Sequence, residues 1–381
     1  MMMQSPFTFL SLAFPTGLLA LASPSVQNIL LPVSFALSLG CITACATTTL
    51  SNNAAELIVK GNILWCLHMG NLVYIQRWTV SSDQSTTIYQ RLYQVYKMYL
   101  NYRWIGTSRE APYIRETDTK TSKQSRLGFV LGRLHHVIFL MMTEVIREIA
   151  LQNLVKIQLT DVLDIKESFF RRLFLDVDSH SSGIDSRDLL IRMTVFLSGV
   201  RLSYVQLTIL HDIFAAVFVG AGLDEPREWP PLFGDIREAY TIRRLWSRYC
   251  DRLFYRTMSC WAREILRRVK VWGGTGTTWN KLILIIAVFA LSAGIHLVAA
   301  KVVGRDCGLQ QEALWWLINT LAVLVEAAVE TIVSNLVSPP TWWARNKQPP
   351  LWARLLGYLW VTAFSLWSIP KLVYPQLRCA F

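Results

Sequence analysis

The chain has 381 residues, of which 52% are hydrophobic and only 17% are charged. Its mean hydropathy of +0.32 excludes an ordinary soluble protein of this length, because such proteins carry about 25% charged residues. The formal net charge of +12 does not indicate nucleic-acid binding, since the basic residues lie between apolar segments and form no single basic domain or arm. We therefore predict an all-α, polytopic integral membrane protein whose partner is the lipid bilayer and which binds no nucleic acid.

Apolar segments long enough to cross a bilayer recur along the whole chain, and each crossing needs about 20 residues of helix. We predict about eight transmembrane helices, at residues 7–22, 29–46, 57–75, 127–146, 189–223, 279–300, 313–337 and 351–369. The first segment ends in small residues, as a cleaved signal peptide does, but it lacks a basic region before it. An uncleaved first span is favoured.

The charge of the connecting loops predicts the topology. Residues 77–126 hold nine Lys or Arg against four Asp or Glu, and residues 224–278 hold eleven against seven. Residues 147–188 reverse this balance, with six against eight. Because cytoplasmic loops are enriched in Lys and Arg, the first two loops are predicted to be cytoplasmic and the third to lie on the opposite side.

The sixth segment, from Trp279 to Ala300, is an apolar run that contains a histidine. At helical spacing Phe289, Ser292 and His296 share one face. A histidine inside a bilayer is rare and usually lines an internal cavity or pathway, and its imidazole can take a proton near neutral pH. Two interpretations remain open: a general base in an internal chamber, or a packing histidine that bonds to Ser292 or to a backbone carbonyl.

Other polar residues in the apolar segments have less specific patterns. Glu326 and Glu330 lie four residues apart on one helix face, where they could hold substrate or bond to a neighbouring helix, and the second is favoured. The adjacent pair His135-His136 is a poor chelate for a metal and is predicted to be solvated or interfacial. His211-Asp212 are also sequence neighbours, so their side chains are predicted to face apart. No metal site is predicted.

Two blocks of sequence resemble a known family: a loop block, made of two segments, and a span block. Trp229–Gly234 reads W-P-P-L-F-G, Arg243–Arg248 reads R-R-L-W-S-R, and Phe289–His296 reads F-A-L-S-A-G-I-H. Their order and spacing resemble the fungal and plant wax synthase-like branch of the membrane-bound O-acyltransferases, in which the loop and an aromatic-Trp segment precede an F-x-x-S-G-x-x-H helix. Asn101–Thr107 also looks like a segment that these proteins carry near their third helix.

The resemblance implies transfer of an acyl group from acyl-CoA to a hydroxyl, with His296 in the position of the family's catalytic histidine. The same resemblance places substrate-binding or supporting roles on Trp229, Pro230, Pro231, Trp246, Asp251, Phe289 and Ser292. Candidates for contacts with the CoA phosphates are Arg243, Arg244 and Arg248. A cytoplasmic basic loop without a ligand explains these arginines equally well.

Fungal proteins with this W-P-P-L-F-G block look like O-acetyltransferases that act on terpenoid, meroterpenoid or polyketide secondary metabolites. The resemblance therefore implies acetyl-CoA as co-substrate, a hydrophobic alcohol as acceptor, no tightly bound cofactor, and a multi-pass location in the endoplasmic reticulum. It also implies three parts: N-terminal transmembrane helices over 1–76, a cytoplasmic basic loop over 77–127, and a catalytic membrane domain over 128–381 with a cytoplasmic loop at 224–278.

The chain departs from the family pattern at two places. Cys250-Asp251 stands where family members usually have Trp-His, and Ser292-Ala293-Gly294 has one residue inserted into the Ser-Gly pair. The alternatives are a long-chain acyl-CoA:alcohol wax ester synthase, an integral-membrane terpene cyclase that would use Glu326 and Glu330 as acids, and a transporter. A transporter would show internal symmetry between two halves, which this sequence lacks.

Overall fold

A computed structural model describes residues 5–80, 87–107, 125–169, 185–250, 254–271, 277–336 and 349–379. The described residues form helices, turns and loops without a strand among them, which confirms the predicted all-α fold. They divide into two compact units. The first unit lies within residues 1–111 and 253–316, and the second within residues 112–252 and 317–381.

Ten helices of at least twelve residues lie within the described part of the chain. They are α1 (Pro6–Ala22), α2 (Gln27–Cys45), α3 (Asn52–Gly70), α4 (Ile88–Tyr99), α5 (Arg126–Ala150), α6 (Ser186–Gly220), α7 (Tyr255–Arg268), α8 (Thr278–Val302), α9 (Leu309–Leu336) and α10 (Leu351–Arg378). Shorter helical segments are the π turns Asn71–Ile75, Leu151–Val155 and Leu245–Cys250, the 3-10 turns Leu159–Asp161, Pro226–Glu228 and Ile236–Glu238, and the α turns Asp164–Glu167 and Ile242–Arg244.

Five of the described helical segments are long and apolar enough to span a bilayer. They are Gln27–Cys45, Arg126–Val155, Ser186–Gly220, Trp279–Val302 and Leu309–Val333. The apolar helix α1 is shorter, at 17 residues. The chain is thus an integral membrane protein with several spans, whereas the number of eight crossings and the sidedness of the loops remain predictions.

Side-chain caps explain where several helices begin. Thr277 precedes α8, and its hydroxyl accepts a hydrogen bond from the backbone N–H of Asn280. Ser51 does the same for α3, and Asp185 for α6. Ser, Thr and Asp are favoured at this position because their oxygens satisfy an N–H group that has no partner inside the helix.

In the first unit, α8 is fixed against α3 by apolar contacts. Ile295 on α8 belongs to a buried cluster with Leu64 of α3 and Met258 of α7. One turn further along α8, Ala299 is fully buried in a cluster that includes Val59 of α3. These contacts lie on either side of residue 296 and therefore fix the rotation of α8 at that point.

In the second unit, ion pairs join α5 to α6. Arg133 on α5 binds Asp212 on α6 at 2.5 Å, and Glu144 on α5 binds Arg201 on α6 at 2.6 Å. Elsewhere in this unit, Gly357 on α10 lies so close to the backbone carbonyl of Tyr240 that a Cβ atom would come within 2.2 Å of its oxygen. The segment around residue 240 is therefore packed directly on α10.

Candidate active site

His296 lies in the second half of α8, and its side chain is 36% exposed. Its imidazole contacts the indole ring of Trp316, with 4.9 Å between the ring centroids. The ring of Phe289, two turns earlier on α8, contacts the same indole at 6.2 Å. The predicted common face of Phe289 and His296 is confirmed, and it is directed toward the first half of α9.

The carboxylate nearest to His296 belongs to Glu312, in the first turn of α9. The distance from His296 Nδ1 to Glu312 Oε1 is 3.6 Å, which is within reach of an ion pair but longer than an ordinary hydrogen bond. No hydrogen bond joins His296 to Ser292 among the described residues, and Ser292 itself is half-buried. The polar neighbour of the histidine is therefore Glu312, which the sequence analysis did not identify.

Glu312 belongs to a larger ionic cluster in the first unit. Arg305, in the turn between α8 and α9, donates to Glu312 at 2.7 Å and to Glu56 of α3 at 3.2 and 3.3 Å. Lys60 binds Glu56 at 2.6 Å. We call these four residues and His296 the His296 cluster. Its two carboxylates and two cations balance, so the cluster is neutral when the imidazole is neutral.

Arg305 remains charged in this setting, although it is partly buried. Burial alone would lower the pKa of its guanidinium, but the hydrogen bond to Glu312 and the charges of Glu312 and Glu56 outweigh that effect and raise the pKa above its usual value. The guanidinium is thus a permanent cation between two carboxylates.

The same carboxylates raise the question of a metal site. Glu56, His296 and Glu312 each offer one ligand atom, and these atoms lie within 4.8 Å of one another. Arg305 already bonds to both carboxylates, and Lys60 bonds to Glu56. A divalent ion would have to displace a cation from each carboxylate, so the donor set fits an ion-pair network better than a metal centre.

The W-P-P-L-F-G loop lies in the second unit, where Trp229 anchors it to α5 and α6. The indole N–H of Trp229 donates to Asp224 at 2.9 Å, and its ring stacks on Phe218 with centroids 5.9 Å apart. Its backbone carbonyl accepts a hydrogen bond from Arg133 at 2.6 Å. Three different interactions thus fix the first residue of the motif.

The rest of the loop packs between α6 and the π turn Leu245–Cys250. The ring of Phe233 contacts Tyr204 at 5.0 Å and Tyr249 at 5.6 Å. The N–H of Gly234 donates to the carbonyl of Tyr249 at 3.0 Å. Pro230 is buried and Pro231 is exposed. The contacts fix the shape of the loop, and the substrate-binding roles of its residues remain predictions.

Among the candidate CoA-phosphate arginines, Arg243 and Arg244 bind carboxylates within the second unit. Arg243 binds Glu330 at 2.8 Å. Arg244 forms an ion pair with Glu238, and its guanidinium lies over the ring of Tyr240 at 4.3 Å. The third candidate, Arg248, lies half-buried in the π turn Leu245–Cys250. A phosphate at Arg243 or Arg244 would have to compete with these carboxylates.

Glu326 on α9 bonds to neighbouring elements, as the sequence analysis favoured. Its carboxylate accepts hydrogen bonds from the backbone N–H groups of Ile242 and Arg243, at 2.7 and 2.9 Å. It also accepts one from the indole of Trp360, at 2.8 Å. Because these N–H groups begin a helical turn, Glu326 caps that turn from another helix.

The remaining described residues of the predicted set lie in the second unit. The indole N–H of Trp246 donates to Asn319 at 3.1 Å within the second unit. Asp251, which stands where family members usually have His, lies outside the described residues. The predicted set therefore falls into two groups: Phe289, Ser292 and His296 in the first unit, and the loop residues with the arginines in the second.

A second ionic cluster, which the sequence analysis missed, surrounds Asp212. Its fully buried carboxylate accepts from Arg133 at 2.5 Å and from His136 Nδ1 at 2.7 Å, and it lies 3.4 Å from His211 Nδ1. We call these four residues the Asp212 cluster. The side chain of His136 is 40% exposed, and its Nδ1 nevertheless bonds to this buried carboxylate. The prediction that His211 and Asp212 face apart was wrong, because their side chains lie within 3.4 Å of each other. The available signal was the pair Arg133 and His136, three residues apart on one face of α5.

The fold and the site define a helical membrane protein with a histidine-carboxylate cluster at the start of a spanning helix. Residues 229–319 match the model of the family described as "Membrane bound O-acyl transferase family". The matched segment contains the W-P-P-L-F-G loop, His296 and Glu312. Over these residues the chain is similar to membrane-bound O-acyltransferases, which confirms the resemblance predicted from its motifs.

Several curated fungal proteins are also similar to this chain. Acetyltransferase aurG of Calcarisporium arbuscula is 29% identical over 202 residues, which cover 51% of this chain and 45% of the relative. Acetyltransferase ataH of Aspergillus terreus is 28% identical over 173 residues, covering 44% and 53%. Acetyltransferase cdmC of Talaromyces verruculosus is 29% identical over 168 residues, covering 44% and 39%. The chain matches about half the length of these relatives or less, and no solved structure matches it.

Proposed function

We propose that the chain is a membrane-bound O-acyltransferase that transfers an acetyl group from acetyl-CoA to a hydroxyl of a terpenoid, meroterpenoid or polyketide secondary metabolite. The observation that carries this proposal is the placement of His296 within the family-matched segment, beside the carboxylate of Glu312 at 3.6 Å. The three fungal relatives described above are all acetyltransferases, which supports the choice of donor.

His296 has the geometry of a general base. Its Nδ1 faces Glu312, while among the described residues its Nε2 has no hydrogen bond, and the side chain is 36% exposed. Nε2 would take the proton of the acceptor alcohol as the alcohol oxygen attacks the thioester carbonyl. The carbon–sulfur bond then breaks, and the CoA thiolate takes the proton from the imidazolium. An oxygen–acyl bond forms, and no covalent acyl-enzyme is needed.

A position among helices suits this chemistry. The ring of Trp316 contacts the imidazole and α8 is apolar; with lipid around this helix, less water would reach the site and compete with the alcohol as an acceptor. The CoA phosphates require cationic donors, and Arg243, Arg244 and Arg248 remain candidates. The proposed location is the endoplasmic reticulum, with residues 224–278 on the cytoplasmic side.

The contacts of α9 weigh against a terpene cyclase. Such an enzyme would need Glu326 or Glu330 as a proton donor within an internal cavity. Glu326 accepts hydrogen bonds from three N–H groups, so its oxygens are already bound by donors of the protein. Glu330 forms an ion pair with Arg243. Both carboxylates are thus bound to their neighbours rather than available as acids.

The test is a microsomal assay of the parent protein and the His296→Ala variant. Acetyl-CoA or palmitoyl-CoA is supplied with hydroxylated terpenoids, polyketides and fatty alcohols, and free thiol and ester are measured together. We expect the parent to form an acetyl ester and His296→Ala to lose about 10²- to 10⁴-fold in rate, the usual contribution of a general base. Preference for palmitoyl-CoA and fatty alcohols would instead indicate a wax ester synthase.

The matched control is His135→Ala, because His135 is an exposed histidine on α5 outside the family-matched segment. It should keep the parental rate. Full turnover in a His296→Ala variant that remains folded in the membrane would refute the role of His296.

A further inference from the structure

We propose that Glu312 and Arg305 are positioning residues for His296: they hold its imidazole with Nδ1 toward the protein and Nε2 toward the acceptor alcohol. This inference rests on the proposed function. It adds two residues that the sequence motifs did not identify, one in the turn after α8 and one at the start of α9.

The first observation is that two side chains of α9 contact the imidazole of His296. Glu312 and Trp316 are four residues apart, so both side chains lie on the same face of α9. The carboxylate of Glu312 lies 3.6 Å from Nδ1, and the indole of Trp316 contacts the imidazole with 4.9 Å between centroids. Packing against the indole limits tilting of the ring, and the carboxylate determines which nitrogen faces the protein.

The second observation is that Glu312 is itself held in place. Its side chain is only 6% exposed, and Arg305 bonds to it at 2.7 Å. The same guanidinium bonds to Glu56, so Arg305 joins α3 and α9 from the turn between α8 and α9. In the sequence Arg305 lies between Gly304 and Gly308, and both glycines have positive φ angles, of +77° and +80°. Glycine adopts such angles without strain, which lets the tight turn present Arg305 inward.

The third step is chemical. When Nε2 takes a proton, positive charge spreads over the imidazole, and a fixed carboxylate beside Nδ1–H stabilises that charge. The distance of 3.6 Å describes the resting state, and such contacts often shorten as the reaction proceeds. Arg305 fixes the carboxylate but does not neutralise it alone, because Arg305 also bonds to Glu56.

The test is the Glu312→Gln variant in membranes, with acetyl-CoA and the best acceptor found for the parent. We expect kcat to fall by about 10- to 100-fold, as it does when a group that orients a metal-binding histidine is removed, with little change in KM for acetyl-CoA. We also expect the acidic limb of the pH–rate profile to move to lower pH, because the carboxylate favours the protonated imidazole. If Glu312 had a purely structural role, its loss would not lower kcat selectively with KM unchanged, and it would not shift the acidic limb of the pH–rate profile.

The control is Glu264→Gln on α7. Glu264 also pairs with two arginines, Arg267 and Arg268, but these arginines are 63% and 75% exposed. This variant should keep the parental kcat and pH profile. An equal loss of kcat in both variants would show that any change of a paired glutamate disturbs the protein, and it would overturn the inference.

Glu312→Gln leaves Arg305 with one carboxylate fewer and could impair folding. The second variant, Glu312→Gln with Arg305→Gln, removes one charge of each sign and keeps the pair Lys60 and Glu56. It should fold and still show the low kcat and the shifted limb. If Glu312→Gln or this double variant folds and keeps the parental kcat and pH profile while His296→Ala is inactive, the inference fails and the proposed function stands. If His296→Ala is active, the proposed function fails first.

Discussion

The His296 cluster and the Asp212 cluster contain the same kinds of residue but bind their histidines differently. In the Asp212 cluster the carboxylate is fully buried and binds His136 Nδ1 at 2.7 Å. In the His296 cluster Glu312 is bound tightly by Arg305 at 2.7 Å, and its distance to His296 Nδ1 is 3.6 Å. A histidine and a carboxylate are therefore joined firmly in one cluster and loosely in the other.

The difference separates two uses of polar side chains inside a helical membrane protein: some hold helices together, and others are available for chemistry. Arg133 and His136 of α5 bond to Asp212 of α6, and Arg133 also bonds to the carbonyl of Trp229. The Asp212 cluster thus fastens two helices and the W-P-P-L-F-G loop. The family-matched segment, residues 229–319, contains His296 but not His136. We infer that the tight cluster serves the fold and the loose one serves the reaction.

The largest expected effect on stability is that of Asp212→Ala. The change leaves the guanidinium of Arg133, which is only 17% exposed, without its carboxylate. Removing one member of a buried ion pair costs about 3–5 kcal/mol. We expect a clear fall in the thermal unfolding temperature of the detergent-purified protein, together with loss of activity through unfolding.

Asp306→Ala is the control for this prediction. Asp306 is also paired with a cation, Lys301, but both side chains are about two-thirds exposed, at 65% and 67%. Its substitution should leave the unfolding temperature nearly unchanged. A similar temperature for Asp212→Ala and the parent would show that the Asp212 cluster does not hold the second unit together.

A smaller effect distinguishes the two histidines directly. We expect His136→Gln to lower stability by about 1–3 kcal/mol, because Asp212 loses a hydrogen-bond partner, and to leave turnover intact in the protein that remains folded. His296→Gln should instead abolish most of the turnover and leave the stability nearly unchanged. The measurement pairs initial rates with thermal unfolding for both variants. Loss of turnover in a stably folded His136→Gln variant would place the general base on α5 and reverse the comparison.

The sequence predicted most of the helices because length and apolarity alone decide where a spanning helix forms. The run predicted at 279–300 is α8, Thr278–Val302, with a capping threonine just before it. The common face of Phe289 and His296, which both contact one indole, also follows from helical periodicity, whereas the indole itself belongs to another helix. Such features depend only on residues close together in the chain, so they can be predicted from the sequence.

Contacts between distant segments could not be predicted in the same way. The sequence predicts the seventh apolar run from residue 313, so Glu312 lies just outside the predicted span. The helix begins at Leu309 instead, which brings Glu312 onto the face that carries Trp316. Arg133 and Asp212 are separated by 79 residues, and no periodicity links them. Likewise, the charge of Arg243 suggested a phosphate site, whereas its partner Glu330 became visible only in the fold.

The smallest expected effect concerns a third ion pair, which shows whether burial controls the cost of losing a pair. Arg201 and Glu144 join the same helices as Arg133 and Asp212, but their side chains are 38% and 21% exposed. Glu144 also keeps Arg147 as a partner at 2.8 Å. Arg201→Ala should therefore cost less than about 1 kcal/mol, as exposed pairs do, and change the unfolding temperature little. A loss as large as that of Asp212→Ala would mean that lipid rather than water surrounds this pair, because an ion pair is worth far more where the dielectric constant is low. In that case the membrane environment, rather than burial in the protein, would account for the strength of the Asp212 cluster.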